Sequence, residues 1–367
     1  MTPKVYFTNF CTGNAETLPQ KLCRLAMAAG MDRIDFQGKF VAIKIHFGEL
    51  GNMAYLRAGY ARAIVELVKD LGGKPFLTDA NTLYVGSRKN ALDHLETAYL
   101  NGFTPYSAGC HILIADGLKG TDDIAVPVVG GEYVKEAKIG RAVMDADIVI
   151  SLNHFKGHEA TGFGGALKNL GMGCGSAAGK KEMHDTCRPV VDEDKCVGCG
   201  VCAESCAHGA PNIVDGKMQM DLSLCAGCGR CLHACPAGAI SSSDARSNEL
   251  LGCKIAEYTK AVVDGRPHFH ISLVRDVSPC CDCYNNNDLP IVPDVGMFAS
   301  FDPVALDLAC AEAVMGQPIN PGSQLDLAKK EGQDYFLTSS PGSNWRSQLT
   351  HGEKIGLGQA CYELVNV

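Results

Sequence analysis

Short apolar runs alternate with amphipathic stretches along the first part of the chain. Apolar runs at 5–8, 40–46, 75–78, 112–115 and 148–152 predict strands. Several are continuous rather than alternating, as expected of strands covered on both faces. Between them, 18–29, 54–71 and 89–101 read as helices. Within 55–69, Leu56, Tyr60, Ile64, Leu67 and Val68 recur at helical spacing, and Gly72-Gly73 follow where a helix C-cap is needed. This alternation predicts a mostly parallel sheet with covering helices. After a break the pattern resumes with a helix at 248–263, a strand at 268–273 and a helix at 303–315. That tail is short of strands for an independent fold. It therefore predicts one discontinuous α/β domain, 1–190 and 244–367, with 191–243 inserted into it.

The inserted stretch holds two runs of four cysteines with one spacing. They are Cys196-x2-Cys199-x2-Cys202-x3-Cys206 and Cys225-x2-Cys228-x2-Cys231-x3-Cys235, the second followed by Pro236. A cubane cluster takes three thiolates from a tight loop and the fourth from the opposite run. The expected ligand sets are thus Cys196, Cys199, Cys202 and Cys235 for one 4Fe–4S cluster, and Cys225, Cys228, Cys231 and Cys206 for the other. Zinc sites use two pairs of ligands rather than a stepped triplet plus one. A disulfide framework needs an oxidising compartment. The first run lacks the proline, which shapes the loop and is not a ligand. Residues 213–214 and 217–220, around Asp215-Gly216, predict the hairpin between the runs. The insert is therefore expected to be a small α+β ferredoxin-like domain.

Composition narrows the classes. The net charge is −8 with no basic block, which argues against nucleic acid. No apolar run reaches membrane-spanning length. The start of the chain reads as a strand without a signal segment, so the 19 cysteines are expected as reduced thiols and metal ligands in a cytoplasm, in an anaerobe.

Chemistry also lies outside the insert. The strand before Asn153 runs into His154, Lys156 and His158, then into Gly162, Gly164, Gly165 and Lys168. Ligands of α/β sheets sit at the carboxyl ends of strands, and glycines let backbone N–H groups approach an anion. A Walker pattern fails here: the gap from Gly173 to Gly179 is too long, and Lys181 follows Lys180 where Ser or Thr is needed. His46 follows another strand end and His184 follows the loop. Cys280, Cys281 and Cys283 sit close together; Cys281 and Cys283 are the pair able to face one centre, as metal ligands or electron-relaying thiols. Buried thiols packing as small hydrophobes are the plainer alternative.

These residues carry a resemblance. The His46 strand end, His154-Phe-Lys-Gly-His158, the Gly-Gly-Ala-Leu-Lys168 run, Asp276-Val-Ser-Pro-Cys-Cys-Asp-Cys283 and the stretch from Pro293 to Asp307 look like the domain-of-unknown-function family DUF362. Many members carry a ferredoxin insert. A weaker likeness in order (strand, His pair, Gly-x-Gly-Gly, Lys168) is to a segment of the nickel-pincer lactate racemases. It implies a small anion or a cofactor at this strand end; the nickel cofactor is not carried over, because the chain departs from that family elsewhere.

The expected function is that of an iron–sulfur redox protein. Two clusters would feed electrons to a small anionic substrate held by His46, His154, His158 and Lys168, with Cys281 and Cys283 at the reaction centre and a redox partner protein supplying or taking electrons. Two alternatives are an electron carrier whose α/β part docks partners and a metal- or cluster-handling protein.

Overall fold

A computed structural model describes residues 1–14, 16–328 and 332–367. Its central sheet has eight strands: β1 (Lys4–Thr8), β2 (Phe40–Lys44), β3 (Lys74–Asp79), β4 (Ile112–Ile114), β5 (Ile148–His154), β6 (His268–Val274), β7 (Gly296–Ser300) and β8 (Glu363–Asn366). The spatial order is β8-β1-β7-β6-β5-β2-β3-β4. Only β7 runs against the others, so the sheet is mostly parallel and draws strands from both ends of the chain.

Eight helices matter for the site: α1 (Leu18–Ala28), α2 (Ala58–Asp70), α3 (Ala91–Leu100), α4 (Ala166–Cys174), α5 (Ala177–Met183), α6 (Ser247–Val263), α7 (Pro303–Met315) and α8 (Trp345–Lys354). All of β5 is buried. Its Ile148, Ile150 and Leu152 join the core under α1 and α2, while Val149 joins the core under α4, α6 and α7. This two-sided burial explains the continuous apolar run.

Helix ends follow local chemistry. Thr17 caps α1 through a reciprocal box with Gln20. Asn90 caps α3 by accepting the Leu92 and Asp93 N–H groups. Helix α2 starts at Ala58, not at 54, because Asn52 Oδ1 ties the Ala54 N–H into a turn (2.9 Å) and Arg57 is extended. Gly72, at φ +89°, ends it.

Two further strands escape a reading of periodicity. β7 is short and begins at Gly296; β8 is a mostly exposed edge. Segment 191–243 leaves and rejoins the body through one antiparallel ladder, Pro189–Val191 against Ile240–Ser242, in which Val191 faces Ile240. Within it, Pro211–Val214 and Lys217–Met220 form a hairpin whose tip, Asp215-Gly216, has two positive φ values. Among the described residues no helix is long and apolar enough to cross a membrane.

Candidate active site

The carboxyl ends of β2, β3 and β5 carry Lys44, Asp79 and His154. Lys44 Nζ lies 2.9 Å from Asp79 Oδ1 and donates to Asn169 Oδ1 at 2.7 Å. Gly173 makes room for it, since a Cβ there would fall 2.6 Å from Lys44 Nζ. Arg88 Nε pairs with Glu49 Oε2 at 3.1 Å, and its Nη1 lies 3.1 Å from His46 Nε2. Burial disfavours the Asp79 carboxylate, yet Lys44 and His94 hold it well below the usual range. Burial and Arg88 push His46 well below its ordinary value, so this imidazole is neutral and contributes no positive charge. Lys44, His46, Asp79, Arg88, Lys156, Lys168 and Lys180 line a recess of about 50 Å³.

The loop after β6 folds over these strand ends. The Gly157 N–H donates to the Ser278 carbonyl at 2.8 Å, and a Cβ on Gly157 would fall 2.5 Å from the Pro279 carbonyl oxygen. Asp282 is its anchor. His154 Nδ1 lies 2.8 Å from Asp282 Oδ2, and Lys156 Nζ 3.2 Å from it. Burial opposes the Asp282 carboxylate, but His154 and Lys156 hold it far below its ordinary range. The other His154 nitrogen faces the Arg275 carbonyl at 2.8 Å. Both nitrogens are thus engaged across the loop, and His154 is not among the residues that line the recess.

That loop delivers Cys281 and Cys283. Lys168 Nζ lies 3.3 Å from Cys281 Sγ, and the Cys283 N–H donates to the same sulfur at 3.4 Å. A ring nitrogen of His158 and the two sulfurs lie within 4.8 Å of one another, a set that by composition could hold a metal. Burial pushes the Cys281 thiol up, but Cys283, Lys168 and His158 outweigh it and bring the thiol well below its ordinary value. For Lys168, burial lowers and the two thiols with Glu159 raise; the neighbours win.

The glycines divide. Gly164 and Gly165 line the recess. Gly162, at φ +75°, packs against Trp345 and Phe336 and serves a turn. The expected anion cradle at the start of α4 is already filled: Asp307 accepts the Ala166 and Leu167 N–H groups at 2.7 and 2.9 Å, and a Cβ on Gly165 would collide with that carboxylate. Positive side chains, not these backbone amides, give the recess its charge.

A second cavity, of about 500 Å³, adjoins the recess through Lys168, Lys180 and Cys283. Its lining includes His158, Glu159 and His184 of the body together with Cys228, Arg230 and His233 of the cysteine-rich segment. Burial, with His158 and Lys168 adding, pushes His184 down to about 4. The Arg230 guanidinium lies over the rings of Tyr284 (3.8 Å) and Tyr84 (5.1 Å). The His208 ring reaches the Leu83 carbonyl at 2.8 Å, and Lys89 the Ala207 carbonyl at 3.1 Å, so the segment is seated on the body.

Within the segment, Cys196, Cys199, Cys202 and Cys235 line one small apolar cavity with Met218 and Ile240. Burial pushes Cys231 up, and the neighbouring Cys228, Cys225, Cys187 and Cys206 add to it. Cys206 therefore sits with the second triplet. Backbone N–H groups of Met218, Gly227 and Ala239 donate to Cys196, Cys225 and Cys235 at 3.3–3.4 Å. Such N–H···S bonds accompany cluster thiolates. All of the chain's cysteines are free, and the donor set is compatible with metal clusters.

The model of the family described as "Domain of unknown function (DUF362)" matches residues 41–312. The chain belongs to that family, and the match takes in the strand ends, the 276–283 loop and the cysteine-rich segment. A thylakoid-associated protein of Synechocystis sp. is 28% identical over 130 residues, 34% of either chain. A solved Thermotoga maritima protein aligns at TM-score 0.40 and 11% identity, over 81% of this chain and 56% of its own. The lactate racemase apoprotein of Thermoanaerobacterium thermosaccharolyticum aligns at TM-score 0.34 and 10% identity, over 75% and 51%. The chain thus spans about a third of the curated relative and about half of each solved structure.

Residues that sequence reasoning missed are Asp79, Arg88, Glu49, Tyr84, Glu159, Arg230 and Tyr284. The one local signal was the polar set Asp79, Asn81 and Thr82 directly after the apolar run of β3.

Proposed function

We propose that the chain is an iron–sulfur redox enzyme, a ferredoxin-type reductase acting on a small anionic molecule at the strand ends. Segment 191–243 is its electron-carrying insert in an α/β body formed by 1–190 and 244–367. Cys196, Cys199, Cys202 and Cys235 would hold one 4Fe–4S cluster; Cys225, Cys228, Cys231 and Cys206 would hold the other. Such clusters supply single electrons at low potential. The chain's own residues bind and orient the substrate. Lys168 and Lys180, shared by recess and cavity, attract its negative charge, with Arg88 and Lys44 behind them. His158 and the neutral His184 stand at the cavity wall to move protons. Tyr84, Tyr284 and Leu83 keep water away. A redox partner protein meets the exposed Cys199 side, and free thiols suit an oxygen-poor cytoplasm.

The observation that carries this reading is the shared cavity. Its lining joins Cys228, Arg230 and His233 of the cysteine-rich segment to Lys168 and Cys283, with Cys281 behind them at 3.3 Å from Lys168 Nζ. A plain electron carrier has no use for it. The test is anaerobic. Protein reduced with dithionite is mixed with small carboxylates and oxyanions, and cluster reoxidation is followed by absorbance. Lys168→Ala should abolish anion-dependent reoxidation with iron and sulfide content unchanged. Full retention of the rate would return the protein to the carrier class.

A further inference from the structure

We infer that Cys281 and Cys283 are a redox-active thiol pair that exchanges with a small disulfide bearing carboxylates. This rests on the proposed function for its electron source and goes beyond it by naming the substrate class.

The geometry divides the labour between the two sulfurs. Cys281 is fully buried, and donors converge on it: Lys168 Nζ at 3.3 Å and the Cys283 N–H at 3.4 Å. Cys283 lines both the recess and the large cavity. The two sulfurs lie within 4.8 Å of each other. A reachable thiol backed by a stabilised buried one is what thiol–disulfide exchange requires.

The same residues resemble a metal-ligand set, but His158 does not fit that role. A metal-binding imidazole donates its second N–H to an acceptor. Here His158 Nδ1 faces two donors, the Ala160 and Thr161 N–H groups at 3.1 and 3.2 Å. The proton therefore sits on Nε2, on the side where Glu159 Oε2 lies at 3.6 Å. That nitrogen is a hydrogen-bond donor and has no lone pair for an ion. The substrate class follows from charge and room: Lys168, Lys180 and Arg230 line a cavity of about 500 Å³, enough for a small molecule with carboxylates.

The chemistry balances as follows. Cys283 passes its proton to Cys281 and attacks one sulfur of R–S–S–R′. A Cys283–S–S–R bond forms, the S–S bond of the substrate breaks, and R′S⁻ leaves, taking the proton from Cys281. Cys281 then attacks the Cys283 sulfur. The intrachain disulfide forms and RS⁻ departs, protonated by water. Two electrons and one proton restore the Cys281 thiolate and the Cys283 thiol, the reductant class being the iron–sulfur clusters that the neighbouring cysteines would hold. The sum is R–S–S–R′ plus two electrons and two protons to RSH and R′SH.

The test reads the thiols directly. Anaerobic protein, clusters loaded, is treated with oxidised glutathione, digested and analysed by mass spectrometry. The expected wild-type product is a peptide spanning Cys281 and Cys283 that is lighter by two hydrogens. Cys281→Ser should instead trap one glutathione on Cys283, and Cys283→Ser should take up none there. Iron and sulfide content must stay unchanged in both, and alkylation of the wild-type pair, blocked by oxidation and restored by dithiothreitol, repeats the test without substitution. An unmodified pair, or a stoichiometric metal lost from both variants, overturns the inference. Anion-dependent reoxidation lost in Lys168→Ala would still stand in that case, so the two readings fail separately.

Discussion

The body and the cysteine-rich segment are held together by different means. At the strand ends of the body, buried charges answer one another: Lys44 with Asp79, Arg88 with Glu49, and Lys156 and His154 with Asp282. Two extensive apolar cores lie on either side of the sheet that carries them. The segment has a core of Cys202, Met218, Cys231 and Ile240, two of which are the thiols themselves. One region is preorganised by its own side chains; the other has little apolar burial of its own, and under the proposed function the clusters on its sulfurs would supply the rest.

The sharpest way to break this contrast is to strip the iron that the proposed function places in the segment. Chelation under reducing conditions should unfold 191–243, giving amide exchange at the rate of an open chain, while the central sheet keeps its protection. Hydrogen exchange with mass spectrometry checks it; loss of protection across both regions would show that the body leans on the segment. Next comes Asp79→Ala, which strands the buried Lys44. Breaking a buried pair this way costs about 3–5 kcal/mol, read as a lower urea midpoint, with iron content unchanged. A smaller effect is expected at the join. Arg230→Ala removes the contacts with Tyr84 and Tyr284, a loss of about 1 kcal/mol. Limited proteolysis should speed up within 191–243 and nowhere in the sheet.

The smallest effect is a pH dependence confined to the body. Burial works against the His351 imidazolium, but Cys253 and Glu257 outweigh it and raise the group from 6.5 to about 9. The folded state then holds a proton that the unfolded chain releases. The stabilisation is complete below about pH 6.5 and is lost as pH rises through about 9. Urea midpoints of the wild type should fall across that window, those of His351→Gln should not, and the cluster absorbance should follow neither.

What was legible in the chain tracks how local its causes are. Buried parallel strands announce themselves as apolar runs, and the cysteine spacing is a local loop geometry, so β2, β3, β5 and both thiol runs were readable. The candidates Lys168, His158, Cys281 and Cys283 come together through loops that the sheet brings into register. His154 was read as a substrate group because it stands at a strand end among cationic side chains; its contacts, with Asp282 and the Arg275 carbonyl, lie far along the chain. Arg88 and Tyr84 sit in a stretch without periodicity, and only folding places them beside Glu49 and Arg230. The glycines after β5 looked like an anion cradle, yet Gly165 is small because Asp307 approaches from α7, which no local pattern can reveal.

The ladder in which Val191 faces Ile240 has a consequence for the stretch it encloses. Its two strands already run side by side in opposite directions, so a tight turn is enough to close them. The central sheet draws all eight of its strands from outside 191–243, so a variant in which a tight turn replaces that stretch is expected to keep the register of every one of them.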